Sequence, residues 1–392
     1  MRFQLLILFF FLKSLGLQAQ TASFQFDIVG GTPEQIAAVE YCGQLWGQYL
    51  LSDVDIEVRV VLAELGANQF LGLTLPNGNK DFADAPLADY WYPSALANAM
   101  AGTDLKPGEN DFDIFLNTSY NWYYGLDGNP ASNQFDFVSV MLHEMGHGLG
   151  ILSLAKVEAS LGSFGTITAA DFAPLGPSFP FPDLEGRPSI YDSFIVDGFG
   201  MLLTDESIYE NPSINLEQAF TGNNLFFSGP LATLANNNQM PKLFAVANYQ
   251  FGSSVTHLNE ATYPNGSGNS MMTPFSNLGE VEHHPGPIVL GILEDIGWNL
   301  SEVSTQAPDF LSEWTLFPNP TFAEINLQNT GENTGALEIV RLLNIQGEEL
   351  QKIPSATISK RIRMDMNNYP AGLYFLEIRD GISSRIFKFS KL

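Results

Sequence analysis

At 392 residues, with 45% hydrophobic content and 30 phenylalanines, the chain is long enough for two or three domains with cores of their own, which excludes disorder throughout. It carries 17 Lys+Arg against 43 Asp+Glu. Between 21 and 300 the basic residues are only Arg59, Lys80, Lys106, Lys156, Arg187 and Lys242, so this segment repels polyanions and excludes nucleic acid and anionic membrane surfaces as partners.

Arg2, the apolar run Leu5 to Leu12 and the small residue Ala19 read as a secretory signal over residues 1–20. The run stops at Lys13, too short to cross a bilayer, and no later stretch is longer. The expectation is a mature chain without a transmembrane segment, secreted or attached to the cell surface. Cys42 is the single cysteine, so no intramolecular disulfide is possible and packing or bound ions must hold the exported fold. Its expected place is buried on a helix. The acidic surface reads first as solubilising. Ca²⁺ is a possible ligand of carboxylate-rich loops, at Asp111 and Asp113 or at Glu280 and Glu282, although neither pair has EF-hand spacing.

Phe24, Phe26 and Ile28 alternate as a first strand. Thr32, Pro33 and Gln35 then form a capping box with proline at the first helical position, predicting a helix to about Leu51. Val54, Ile56, Val58 and Val60 alternate with Asp53, Asp55, Glu57 and Arg59, the pattern of a half-buried strand. A short helix is predicted from Pro93 to Ala101, stopping at Gly102. Phe112, Ile114 and Leu116 form another strand, and 135–149 a further helix. This order implies an α/β (α+β) domain with a mixed sheet. Residues 154–256, rich in Gly, Pro, Asn and Ser, read as a long irregular insertion with short strands near Tyr191 to Leu203. A helix over Ile288 to Ile296 ends on Gly297. A first domain is thus expected over 21–304, a polar linker over 305–313, and a small all-β sandwich over 314–392.

The 135–149 helix carries His143-Glu144-Met145-Gly146-His147, an H-E-x-x-H pattern. Positions four apart share one side of a helix, so both imidazoles can reach one ion, for which Zn²⁺ is the suited metal. Glu144, rotated by about 100° from His143, reaches beside the ion, where a general base belongs. Val138, Leu142, Met145 and Leu149 form the apolar side. A peptidase site needs a third protein ligand. Three residues after Gly150 stands Ser153, so the short spacing to a third histidine is absent, and the candidates are His257, His283 and His284.

The chain resembles the leishmanolysin-type metzincins, zinc metallopeptidases with a long insertion between the helix and the third histidine. The matching pieces are Thr256-His257-Leu258, Met272-Thr273-Pro274 and Asp295-Ile296-Gly297-Trp298. That resemblance implies His257 as third ligand, Met272 as the Met-turn residue beneath the metal, and peptides or proteins as substrates. It covers roughly 110–300. It departs from the family in lacking the cysteines of its disulfides. From Leu316, the string Leu316-Phe317-Pro318-Asn319-Pro320-Thr321, then Ala371-Gly372-Leu373-Tyr374 and the basic end Lys388 to Lys391, resemble the type A sorting domain of type IX secretion. This implies the type IX machinery as partner and delivery across the outer membrane. The expectation is a secreted zinc metalloendopeptidase. The alternatives are a non-catalytic surface adhesin retaining a metal site and a zinc hydrolase of non-peptide bonds.

Overall fold

The computed structural model describes residues 20–66, 70–175, 183–301, 314–329, 337, 339–345, 347–354, 361–379 and 384–392. The expected signal peptide, Gln20 apart, and the linker lie outside them.

Strand β1 (Phe24–Val29) leads to helix α1 (Pro33–Gly47), and a two-residue β2 (Leu50–Leu51) leads to β3 (Ile56–Ala63). Thr32 caps α1 as expected: its Oγ1 accepts from Gln35 N at 3.4 Å, and Gln35 Oε1 accepts from Thr32 N at 2.8 Å. The helix is shorter than its periodicity predicts, because Leu50–Leu51 pair with β14 (Asn299–Leu300) instead of continuing the spiral. β3 likewise starts at Ile56 and not at Val54, whose backbone is held in a turn by the Ser52 hydroxyl. Ile56, Val58 and Val60 are buried as the alternation requires. After β4 (Gly72–Pro76), β5 (Gly78–Lys80) and β6 (Trp91–Pro93), helix α2 (Ser94–Ala101) ends on Gly102 as predicted, and β7 (Phe112–Asn117) follows.

The central sheet has the order β1-β3-β7-β4. β1, β3 and β7 run parallel, and β4 runs antiparallel to β7, with Thr74 opposite Ile114. A mixed sheet was expected; β4 was not, since Gly72-Leu73-Thr74-Leu75-Pro76 is bounded by two turn-type residues. An edge strand tolerates both, because one side of its backbone forms no ladder.

A short parallel pair, β8 (Trp122–Tyr123) and β9 (Phe135–Asp136), leads into α3 (Phe137–Gly148). Asp136 caps α3, accepting from Ser139 N at 2.8 Å. Cys42 of α1 is fully buried, its Sγ 3.7 Å from Val138 O. The α3 side chains Val138, Leu142, Met145 and Leu149 are all within 1% of full burial, and each contributes on the order of 1.5–3 kcal/mol. Two indoles fix the α3 backbone: Trp46 Nε1 donates to Leu142 O at 3.1 Å and Trp298 Nε1 to Leu149 O at 2.7 Å.

The described residues of 154–256 form more regular elements than their composition suggests. They hold the antiparallel pair β10 (Ala155–Glu158) and β11 (Leu161–Phe164), then β12 (Ile195–Asp197), α4 (Ile214–Thr221), β13 (Leu225–Phe227) paired with β12, and α5 (Pro230–Ala235). Each helix is too short for periodicity to reveal. α4 starts on the Ser213 cap, and the first turn of α5 donates Leu231 N and Ala232 N to Asp295, each at 2.9 Å. Asp295 belongs to α6 (Gly286–Ile296), which ends on Gly297 at φ 123° as predicted. The C-terminal part forms two antiparallel sheets. The first contains β15 (Trp314–Phe317), β16 (Glu324–Asn329) and β19 (Arg361–Asp365). The second contains β17 (Ile339–Leu343), β18 (Glu349–Pro354), β20 (Gly372–Arg379) and β21 (Ser384–Lys391). They share a core that includes Trp314, Leu327, Val340 and Leu376.

Candidate metal centre

Helix α3 places His143 and His147 one turn apart, with His143 Nε2 3.1 Å from His147 Nε2. His257, 110 residues beyond His147 in sequence, brings its Nε2 within 3.1 Å of His143 Nε2. Among the described residues this is the only cluster of three or more His, Cys, Asp or Glu whose ligand atoms all lie within 4.8 Å.

The second nitrogen of each ring fixes its tautomer. His143 Nδ1 lies 2.6 Å from Met271 O, His147 Nδ1 2.8 Å from Ile151 O, and His257 Nδ1 2.9 Å from Ser253 O. A carbonyl only accepts, so each Nδ1 carries the proton and each Nε2 presents a lone pair. Lone pairs facing one another at 3.1 Å repel, and a cation between them resolves the repulsion. Tetrahedral zinc with nitrogens at about 2.0–2.1 Å separates its ligands by roughly 3.3 Å, so the donor set and spacing fit that ion. Burial lowers all three imidazole pKa values, that of His147 to about 3 with His143 adding to the effect. The rings are therefore neutral, the form that ligates.

The segment carrying His257 is held by backbone hydrogen bonds. Phe244 N donates to His257 O, Leu258 N donates to Met272 O, both at 2.8 Å, and Ser153 N donates to the Thr256 hydroxyl at 3.2 Å. Val255, two residues earlier, has φ 74°, a left-handed conformation that costs a β-branched residue on the order of 1–3 kcal/mol. Met272 is fully buried and packs against α3 at Gly146, where a Cβ would meet its Sδ at 2.6 Å. Met271 and Met272 thus tie His143 and His257 to one turn.

Glu144 lines the same cleft of about 720 Å³ as the three histidines. It is 5% exposed, and its Oε2 lies 2.8 Å from the Thr74 hydroxyl. Burial pushes its carboxyl up to about 8 against the opposing effect of Thr74. Gly72, also on β4, leaves room for it, since a Cβ there would meet Oε1 at 2.5 Å. No local signal in the sequence points to Thr74 or Gly72. They precede Glu144 by some seventy residues, and only the pairing of β4 with β7 brings them beside α3.

The other two histidines stay away. His283 Nε2 lies 2.7 Å from Asp136 Oδ2, and His284 Nδ1 accepts from Gly286 N at 2.9 Å. Asp111 serves as a structural brace, its Oδ2 accepting from Glu57 N and its Oδ1 from Asn98 Nδ2, both at 2.9 Å. Asp113 accepts from Asn110 Nδ2 at 3.2 Å. That pair is thus engaged by protein donors.

Two family matches cover parts of the chain. Residues 315–391 match the secretion system C-terminal sorting domain, and residues 84–157, which include α3, match a family described as SPBPB7E8-like. No curated protein matches. A solved structure of a DUF3244 family protein with an immunoglobulin-like β-sandwich fold, from Bacteroides vulgatus, is 23% identical over 22% of this chain and 92% of its own, with a TM-score of 0.19. The sorting domain indicates export to the cell surface or the medium through the type IX machinery. No helix among the described residues is long and apolar enough to cross a membrane.

Proposed function

We propose that this protein is an exported zinc-dependent endopeptidase with a metzincin-like catalytic domain, in which His143, His147 and His257 hold the metal and Glu144 is the general base. The observation that carries this reading is the set of three Nε2 lone pairs, fixed by three backbone carbonyls, opening into a cleft that also exposes a buried glutamate. A purely structural site closes with a fourth protein ligand, whereas three ligands leave a position for solvent. Zinc bound there supplies Lewis acidity toward the scissile carbonyl and toward water. Glu144 takes the proton of the attacking water and returns it to the leaving amine. Its Thr74 partner aims the carboxylate, and β4, the last strand of the sheet, offers an edge along which an extended peptide can lie.

The test uses the purified chain and Glu144→Gln. The wild type should cleave casein or gelatin, lose that activity with a chelator and regain it with zinc. The variant should keep its metal and lose hydrolysis by about 10²-fold or more. A metal-loaded wild type with no hydrolysis supports a surface binding protein, and near-wild-type activity in Glu144→Gln removes the base assignment.

A further inference from the structure

Residues 154–256 separate His147 from His257 along the chain, and one turn within them touches both sides of the histidine cluster. That turn runs from Ser189 into the short 3₁₀ segment Asp192–Phe194. It is anchored on β6, where Trp91 N donates to Pro188 O at 2.9 Å and Ile190 N donates to Trp91 O at 2.8 Å. Tyr191 and Asp192 are fully buried, and Ser189 is 4% exposed.

Tyr191 and Asp192, adjacent in sequence, bond to different segments. The Tyr191 hydroxyl donates to Thr256 O, in the residue before His257, at 3.0 Å. Its ring packs against Phe227 of β13 with centroids 5.2 Å apart, so the hydroxyl sits on a ring that is itself fixed. Asp192 Oδ2 accepts from Ser189 N at 2.8 Å and from Leu154 N at 3.0 Å. The Ser189 hydroxyl accepts from Asp192 N at 3.2 Å and donates to Leu152 O at 2.7 Å. Leu152 follows Ile151, whose carbonyl lies 2.8 Å from His147 Nδ1. One turn therefore fastens the segment whose carbonyl orients His147 and the backbone that carries His257.

The conformation of Val255 shows why that backbone needs fastening. A β-branched residue at φ 74° persists only where its surroundings over-determine it. Tyr191 bonds the very next residue, from a side chain with no exposure of its own. We infer that Tyr191, with Ser189 and Asp192 beside it, is a positioning residue for the metal centre, holding His257 Nε2 in place against the two Nε2 atoms of α3. The inference rests on the zinc reading proposed for this site. A ligand already in place binds an ion more tightly than one that must be ordered on binding, and groups that orient ligands from one layer out change metal affinity by about 10- to 100-fold when removed.

The experiment compares full-length wild type, Tyr191→Phe, Ser189→Ala and Tyr209→Phe. Zinc affinity is measured by competition with a chromophoric chelator, at a temperature where each metal-free chain is folded, and the visible spectrum is recorded with Co²⁺ in place of zinc. Tyr191→Phe keeps the packed ring and removes only the hydroxyl. It should weaken zinc binding by about tenfold or more and alter the cobalt bands, and Ser189→Ala should act in the same direction. Tyr209→Phe removes a hydroxyl that donates to Asp197 Oδ2 at 2.7 Å, away from the cluster, and should match the wild type. A merely structural role would lower the melting temperature of the metal-free chain and leave affinity and spectrum unchanged, which would overturn the inference. If Tyr191→Phe does not fold, Ser189→Ala decides by the same two readouts. A wild type that takes up no zinc would sink the zinc reading and this inference together, whereas equally tight zinc binding by the wild type and both variants would sink the inference alone.

Discussion

Thr74→Val tests whether Glu144 is a positioned base. Valine keeps the branched shape and removes the hydroxyl that lies 2.8 Å from Glu144 Oε2. Hydrogen bonds to charged groups contribute about 1.5–3 kcal/mol, which corresponds to a rise of roughly one to two pKa units in the carboxyl, at 1.36 kcal/mol per unit. The sign follows from the chemistry: the hydroxyl favours the ionised form, so its loss favours the protonated form that cannot accept a proton. A bound dication lowers the carboxyl in both proteins alike, so the difference remains. The acidic limb of kcat/KM should move to higher pH by about one to two units, with kcat/KM on that limb reduced by about 10- to 100-fold. Thr74→Ser should restore most of the activity, and metal content should stay unchanged. A Thr74→Val profile that overlays the wild type would refute the coupling between β4 and the base.

Further outcomes follow from the same geometry. His257→Ala should lose the metal in an elemental assay, while His283→Ala and His284→Ala should keep it, because neither of those rings reaches the cluster. Gly146→Ala puts a Cβ 2.6 Å from Met272 Sδ and should destabilise the protein by about 1–3 kcal/mol in denaturant melts. His147 is depressed to about 3 by burial and then by His143, whereas an unfolded imidazole titrates near 6.5. At this position the metal-free native state binds fewer protons than the unfolded chain between those values, so the stability tied to His147 is complete above about pH 6.5 and is lost as pH falls toward 3, while the raised carboxyl of Glu144 acts in the opposite direction. In chelator-treated protein His147→Gln should remove that component, and a melting-temperature difference between the two proteins that stays flat over that range would contradict the neutral imidazole.

Much of the site was legible because its parts obey local rules. The capping box, the spacing of His143 and His147, and the stop at Gly297 each involve residues within a turn or two, and one helical period relates them. The alternation of β3 and β7 was readable for the same reason. Short elements were not. The five residues of β4 carry turn formers at both ends, α5 depends on Asp295 for its cap, and the pairing of β2 with β14 joins residues about 250 apart.

By itself the sequence determined the helix that carries the H-E-x-x-H pattern, the candidate base, the mixed sheet and the all-β C-terminal part. It also narrowed the third imidazole to three candidates, with the family resemblance favouring one. The tertiary structure alone decided that His257 and not His283 or His284 joins the pair, and that Thr74 and Gly72 flank Glu144. The reason is physical: periodicity reports which neighbours along the chain share a face, whereas ligands that converge from distant segments depend on chain crossings that no local pattern encodes.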